Sequence, residues 1–441
     1  MDKVKAKQIL TEILQNNGAR IAHFPSQKEV SMQTLLKDAQ VVAKKLINAN
    51  CGGIFLAAPN SYHWLVTYFA CIISDTVLYT ADFQLSEAEL NSRIEICKPC
   101  VVLKADNIND LLVMEFAPQA NALPQMREFG FVQFTSGTTG GAKGVLMRAQ
   151  QIAANLVSMQ ELCAFTPSDN FLLASAMSHP MGHIFMLLTL GFGGKLTILE
   201  SPVFLPRAVA DANATIMVTP PVMLNSFKNM PDMVERLKKF RYLLCVGAPL
   251  DETAYAFYRE KGIKIMNGYG MTECVSGVAM GKPDSSGKLI PLACCQIKTA
   301  PDGEILVRGD CVCGGYINAG SICREGWYHT NDLGEFDAQG MLTVTGRKDN
   351  LAVLQNGYKI ALEPLEEKIN RVKGVSDCIV RVVRTGASDS IQCEAVVESG
   401  VYKDAQELRG AINTTLSFYE KLDTVHIVEK LSLKGNKKQR G

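Results

Sequence analysis

The sequence of 441 residues has almost no net charge, since 45 Lys and Arg set against 44 Asp and Glu leave +1. Recognition of nucleic acid or an anionic membrane through long-range attraction requires a marked basic excess, so neither is expected as the main partner. Long apolar runs are also missing. The two longest, residues 64–73 and 184–192, fall short of the roughly 18 to 20 residues that cross a bilayer. His63, Ser74 and Asp75 bound the first of them closely, and both are predicted to be buried helices, not membrane spans. There is no low-complexity tract and no internal repeat, which excludes disordered and collagen-like chains. Residues 1–10 carry Asp2, Lys3, Lys5 and Lys7 with no apolar run behind them, so neither a signal peptide nor an anchor is expected. Histidine is scarce, with six in all. His179 and His183 stand four apart and could share a helix face, but no matching carboxylate follows to complete a metal set. The fourteen cysteines are scattered, and without a secretory segment they read as reduced thiols in a cytoplasmic protein.

What is present is ordinary for a globular protein: 47% apolar and 20% charged residues. At about 150 residues per domain the length suggests roughly three units, or a larger α/β body with a smaller appendage. Residues 31–49 repeat apolar side chains near a 3.6 period (Leu35, Leu36, Ala39, Val42, Leu46) and precede the apolar run 54–58. Residues 85–96 open with Ser86 and carry Glu89 three positions on, the pattern of a capped helix, before the run 101–103. The runs 196–199, 214–218, 242–246 and 263–266 repeat the rhythm. Alternating helices and strands predict an α/β fold with a large N-terminal domain of parallel-rich sheets covered by helices. From Gly303 the texture shifts to short strands around a turn at 327–334, read as a small barrel-like subdomain. Residues 350–441 read as a small α+β domain, with helices at 363–371 and 405–415. Domains are therefore expected at 1–348 and 349–441.

The most informative segment is residues 131–145, where a predicted strand empties into Thr135, Ser136, Gly137, Thr138, Thr139, Gly140, Gly141, Ala142, Lys143 and Gly144. Small residues let a polyanion approach the backbone amides, hydroxyls donate to phosphate oxygens, and Lys143 offsets charge. This loop should hold phosphates. It is not a Walker loop, because Ala142 and Gly144 flank the lysine where Gly and Ser/Thr are needed.

Thr-Ser-Gly-Thr-Thr-Gly-x-x-Lys-Gly resembles the phosphate loop of the adenylate-forming superfamily, which includes acyl-CoA synthetases, adenylation domains and luciferases. Further segments match in order. Asn267-Gly268-Tyr269-Gly270-Met271-Thr272-Glu273 is similar to the family's adenine and phosphate segment. The resemblance implies that Tyr269 stacks on adenine, Thr272 bonds the α-phosphate and Glu273 helps to hold Mg2+. Gly247-Ala248-Pro249 resembles the turn that closes the other face of the adenine. Thr330-Asn331-Asp332 resembles the Thr-Gly-Asp turn, with Asn331 replacing glycine and Asp332 implied to accept the ribose hydroxyls. Asn tolerates the left-handed backbone that glycine would supply. Gly346-Arg347-Lys348-Asp349 resembles the inter-domain hinge, which implies a ribose bond from Arg347 and rotation of a mobile small domain about Asp349. The terminal Lys437, with Lys438 as the fallback, resembles the lysine that bridges the acid and the α-phosphate. His183 resembles a position that lines or gates the acid pocket. Cys97-Lys98-Pro99-Cys100 has CxxC spacing and Cys311-Val312-Cys313 is a close pair. Neither is flanked by a zinc-ribbon turn, and they read as a helix-to-strand junction and a strand region.

The resemblance implies an AMP-forming ligase. A carboxylate attacks the α-phosphate of ATP and expels pyrophosphate, after which a thiol takes the acyl group, with Mg2+ assisting. The acceptor would be CoA or, as the alternative, the phosphopantetheine of an acyl or peptidyl carrier protein; a catalytically degenerate nucleotide-binding protein is the second alternative. No Asp or Glu occurs in 178–185 to pair with an amino acid's ammonium, and Met181, Val222, Met223, Met271 and Val275 suggest an apolar wall. A hydrophobic acid, fatty or aryl, is therefore expected as substrate.

Overall fold

The computed structural model describes residues 2–117, 128–137, 141–247, 250, 252–283, 287–348, 351–353, 359–385, 388–416, 420–431, 433–434 and 437–438. Local chemistry sets the helix starts. Ser31 accepts from Thr34 N at the head of Met32–Asn48. Ser86 and Glu89 form the reciprocal capping box of Glu87–Cys97, as the sequence predicts, and Asp404 caps Ala405–Thr415 by accepting from Gln406 N and Glu407 N. Each cap satisfies amide donors that the first helical turn leaves open. The apolar runs near residues 64 and 184 form the helices Tyr62–Ser74 and Pro180–Gly191, both deeply buried. No helix among the described residues is long and apolar enough to cross a membrane.

The helices cover two sheets. A nine-stranded sheet runs in the order Ile290–Pro291, Gly277–Met280, Ile265–Gly270, Tyr242–Val246, Ile216–Val218, Asn170–Leu173, Lys195–Leu199, Arg20–Phe24, Glu29–Ser31. Its central pairings are parallel and its strands almost wholly buried, which explains their continuous apolar runs. A five-stranded sheet runs Val101–Lys104, Gly53–Ala57, Val77–Thr80, Gly130–Gly137, Gly141–Arg148, parallel except for the last pair. The barrel-like part is a small five-stranded sheet of Cys295–Thr299, Glu304–Gly309, Trp327–Phe336, Cys323–Arg324 and Leu342–Arg347.

Two features differ from the sequence reading here. The turn expected at 327–334 is a ten-residue strand, Trp327–Phe336. Asn331 sits inside it with φ 62°, so the polar cluster marks a local irregularity in a strand and not its end. Cys311–Cys313 lies beyond the strand Glu304–Gly309, in the turn after it.

The chain divides into two compact units. One comprises Met1–Lys298, Leu306–His329 and Phe336–Leu342; the other comprises Thr299–Ile305, Thr330–Glu335 and Thr343–Gly441. The second unit thus takes in two short segments far earlier in sequence than residue 349. Its carboxy-terminal part is a three-stranded sheet in which Val375–Thr385 and Ser388–Val397 pair antiparallel. Ser388–Val397 pairs parallel with Thr424–Ile427. A parallel pair needs a crossover, and the helix Ala405–Thr415 supplies it. Leu365, Ile369, Val380, Leu408 and Ile412 share the core of this part.

Candidate active site

In the first unit the candidate residues sit where strands end. Tyr242–Val246 and Ile265–Gly270 are parallel neighbours, with Val246 opposite Gly268. Their carboxyl ends therefore bring Gly247 beside the 267–273 segment, the edge of a parallel sheet at which ligands usually bind. Gly247 leaves its strand at φ 92°. Gly270 is required by space: an ideal Cβ there would stand 1.7 Å from Ser276 O. The chain then makes a short 3-10 turn at Thr272–Cys274. Ser276 N donates to Cys274 O at 2.8 Å across Val275, whose φ of 67° and ψ of −58° define a γ-turn. A buried β-branched residue in that conformation is a strained one. Asn267 is 9% exposed, and its Oδ1 has no hydrogen-bond partner among the described residues. Ala248 and Pro249 lie outside the described residues.

The phosphate segment is a β-hairpin and not an open loop. Thr135 pairs with Lys143, Ser136 with Ala142 and Gly137 with Gly141. Thr138, Thr139 and Gly140 lie outside the described residues. The returning strand is braced by residues the sequence reading did not single out. Gly144 N donates to Asn318 Oδ1 at 3.1 Å, and Asn318 Nδ2 donates to Ala142 O at 2.9 Å. Thr135 Oγ1 reaches Lys143 O at 3.5 Å.

Tyr316 links this hairpin to the acidic turn. Lys143 Nζ lies 5.4 Å from the centre of the Tyr316 ring, within cation–π range, and Tyr316 Oη donates to Glu273 Oε1 at 3.1 Å. Burial first, and then the Glu273 charge, push the phenol above its ordinary value, so it remains a donor. The cation of one motif and the carboxylate of another thus flank one aromatic side chain. Nothing in the sequence marked Tyr316 beyond its place after Gly314 and Gly315.

His183 takes a different position from the one expected. It is fully buried, with Nε2 2.7 Å from Tyr68 Oη and its ring stacked on Phe131 at 4.2 Å between centroids. Burial lowers its pKa to about 3, so the imidazole is neutral. It belongs to an aromatic core with Tyr68 and Phe131, because the apolar helix that carries it is buried nearly all round; it presents no surface to a pocket. Of the expected acid wall, Met181 Sδ accepts from Ser276 Oγ at 3.6 Å, and Met271 and Met223 are half-buried. Val222 does not join them, being 77% exposed.

In the second unit, Arg347 Nη1 donates to Asp332 Oδ1 at 3.1 Å. The approach to Asp332 is fixed by its backbone: Asn331 N donates to Glu304 Oε1 at 3.0 Å and Asp332 N to Thr330 Oγ1 at 3.0 Å. Glu304 is buried and also accepts from Lys348 Nζ at 2.9 Å. Asn331 adopts the left-handed conformation that its type tolerates in place of glycine. Asp349 lies outside the described residues. Lys437 and Lys438 form a two-residue strand paired with Leu433–Lys434, and their side chains lie outside what is described.

A family model described as AMP-binding enzyme matches residues 10–317. The 2-succinylbenzoate–CoA ligase of Listeria monocytogenes serotype 4b (strain F2365) is 27% identical over 372 residues, covering 79% of this chain and 77% of the relative. The ligase of the same name from Bacillus anthracis (strain A0248) is 28% identical over 377 residues, covering 77% and 76%. Among solved structures, the o-succinylbenzoate coenzyme A synthetase of Bacillus subtilis in complex with AMP aligns with a TM-score of 0.83 at 21% identity, over 98% of this chain and 97% of that one. ATP-bound MatB of Rhodopseudomonas palustris gives 0.84 at 20% identity, over 97% and 96%. These structural likenesses show the fold.

Proposed function

Because the chain belongs to the AMP-binding enzyme family, we propose that it is an AMP-forming acid–thiol ligase that activates an aryl carboxylic acid with ATP and hands the acyl group to CoA. The observation that carries this reading is Tyr316, set between Lys143 and Glu273. It keeps a cation available for phosphate oxygens and a carboxylate available for a metal without letting the two neutralise each other.

An acid's hydroxide is a poor leaving group, and adenylation replaces it with AMP. An oxygen of the substrate carboxylate bonds to the α-phosphorus of ATP as the bond to the bridging β-phosphate oxygen breaks, releasing pyrophosphate. The CoA sulfur then bonds to the acyl carbon, AMP leaves with the carboxylate oxygen, and the thiol proton passes to solvent. Both steps need positioning and charge stabilisation, not a side-chain nucleophile.

The residues fit those needs. Asn267 Oδ1, buried and without a hydrogen-bond partner among the described residues, suits the exocyclic amine of adenine, with Tyr269 stacking on the ring and Gly247 leaving space. Lys143, Thr272 and the hairpin amides suit the phosphates. Asp332, aimed by Arg347, suits the ribose diol. A lone carboxylate beside phosphates is a common setting for Mg2+, so Glu273 would hold it, with Tyr316 fixing the carboxylate. When bound, the metal neutralises phosphate charge. Lys437 would bridge the acid and the α-phosphate, in a small domain that turns about Asp349 between steps. His183 acts at most as a positioning residue, through Tyr68 and Phe131.

A hydrophobic acid is favoured because the segment 178–185 lacks an acidic residue, and an aryl one because the curated relatives are 2-succinylbenzoate–CoA ligases. CoA is favoured over a carrier-protein arm because the curated relatives are CoA ligases. The deciding measurement is acid-dependent exchange of labelled pyrophosphate into ATP across a panel of acids, beginning with 2-succinylbenzoate, followed by comparison of CoA with a carrier protein as acceptor. No exchange with any acid would sink the reading. The Lys437→Ala variant should lose exchange by about 10²-fold or more yet still form thioester from supplied acyl-adenylate; equal loss of both steps would remove its assigned role.

A further inference from the structure

Apart from the residues assigned to the nucleotide, the first unit gathers thiols at one point. Residues 293–294 turn into the strand Cys295–Thr299, and the chain returns past them at Gly309. That return requires glycine: φ is 138°, and an ideal Cβ would lie 2.4 Å from Cys294 O and 2.8 Å from Cys295 Cα. Asp310 N closes the approach by donating to Cys294 O at 2.9 Å. As a result the sulfurs of Cys294, Cys295 and Cys311 all lie within 4.8 Å of one another. Asn155, also buried, directs its amide nitrogen at Cys294 Sγ from 3.9 Å.

We propose that Cys294, Cys295 and Cys311 form a binding site for a thiophilic d10 cation, zinc(II) in the first instance. Three thiolates at about 2.3 Å from one zinc stand roughly 3.8 Å apart, so the sulfurs need little movement to close on an ion. Soft sulfur donors select such cations over Mg2+, which keeps this site distinct from Glu273. Each thiol that ligates gives its proton to solvent. A disulfide would use two of the sulfurs and leave the third unpaired, whereas one cation engages all three.

The position gives the ion a structural consequence. Cys274 follows Glu273 directly, and Cys313 N donates to Glu273 O at 2.8 Å. Zinc would therefore fasten the 294–295 turn to the 309–313 segment, which holds the 272–274 turn through that hydrogen bond from Cys313 N to Glu273 O.

The test is metal binding by the full-length reduced chain, with no turnover involved. Zinc is titrated in competition with a chromophoric chelator, and cobalt(II) is used to report sulfur ligation by its charge-transfer absorption. One tight equivalent with thiolate-to-cobalt bands is expected, weakened at least about tenfold in Cys311→Ser and unchanged in Cys97→Ser. Should Cys311→Ser fail to fold, alkylation of the unaltered chain mapped by mass spectrometry decides, since zinc should slow modification of Cys294 but not of Cys100. Absence of a tight equivalent, its equal loss in Cys97→Ser, unchanged alkylation of Cys294, or a native disulfide among these cysteines would each overturn the proposal.

Discussion

Lys143 and Asp332 are assigned to the same nucleotide but are held in opposite ways. Lys143 faces an aromatic ring, and among the described residues it makes no ion pair; the acid on the far side of that ring, Glu273, is one phenol away. Asp332 is paired directly with Arg347. A cation kept apart from its counter-charge retains most of its attraction for an incoming polyanion, whereas a carboxylate paired in advance has given up part of its attraction and gained a fixed aim. Under the proposed function, one arrangement would serve charge stabilisation during the reaction and the other orientation of the ligand.

The sharpest way to break this contrast is Lys143→Ala, which should lower the rate of pyrophosphate exchange by about 10²- to 10³-fold. A loss below tenfold would mean that the charge is not held in reserve. Asp332→Ala should raise the Kd for ATP by about 10- to 100-fold, the worth of hydrogen bonds to a charged group, with a smaller effect on turnover. Calorimetric titration with unchanged affinity would end its assignment to the ribose. Tyr316→Phe keeps the ring under Lys143 and removes only the hydrogen bond to Glu273. It should cost about tenfold or less and raise half-saturating Mg2+ without altering ATP affinity, while Tyr316→Leu should do worse. Equal behaviour of the two variants would show that the ring contributes nothing.

The smallest effect is expected at His183, where charge is excluded. In the unfolded chain this imidazole takes up a proton near pH 6.5, but in the folded chain only near pH 3. Its contribution to stability is therefore complete above pH 6.5 and declines as pH falls, by about 1.4 kcal/mol per unit down to roughly pH 3. Between pH 7 and pH 5 that amounts to about 2 kcal/mol. The melting temperature of His183→Gln should fall less over that interval than that of the unaltered chain; parallel curves would contradict the burial account.

Much of this was legible in the sequence because it depends on neighbours in the chain. The Ser86–Glu89 capping box and the buried strands 242–246 and 196–199 follow from local pattern, and the left-handed Asn331 from its standing where the family resemblance has glycine. Motif order also led to Lys143, Glu273 and Asp332 one by one. Contacts between distant segments were not legible. Tyr316 and Asn318 meet residues 142–144 only after the fold brings them together. The thiol cluster joins Cys294, Cys295 and Cys311, none of them in the CxxC spacing that attracts attention. His183 was misplaced for a related reason: a histidine in an apolar run gives no sign of whether its helix turns it to solvent or, as here, into a stack of aromatic rings. The strand Trp327–Phe336 was read as a turn because its polar residues outweighed its pairing in local pattern.

Glycine would occupy the backbone conformation of Val275 without effort, yet the chain places there a branched side chain with no exposed surface. The bend behind Glu273 is thus clamped from the flank by close packing as well as held by its own amides, Val275 N donating to Thr272 O and Met271 N to Ser276 O. Softening of the surrounding interior, by heat or by a distant cavity, would reach the aim of that carboxylate before it disturbed the strands on either side.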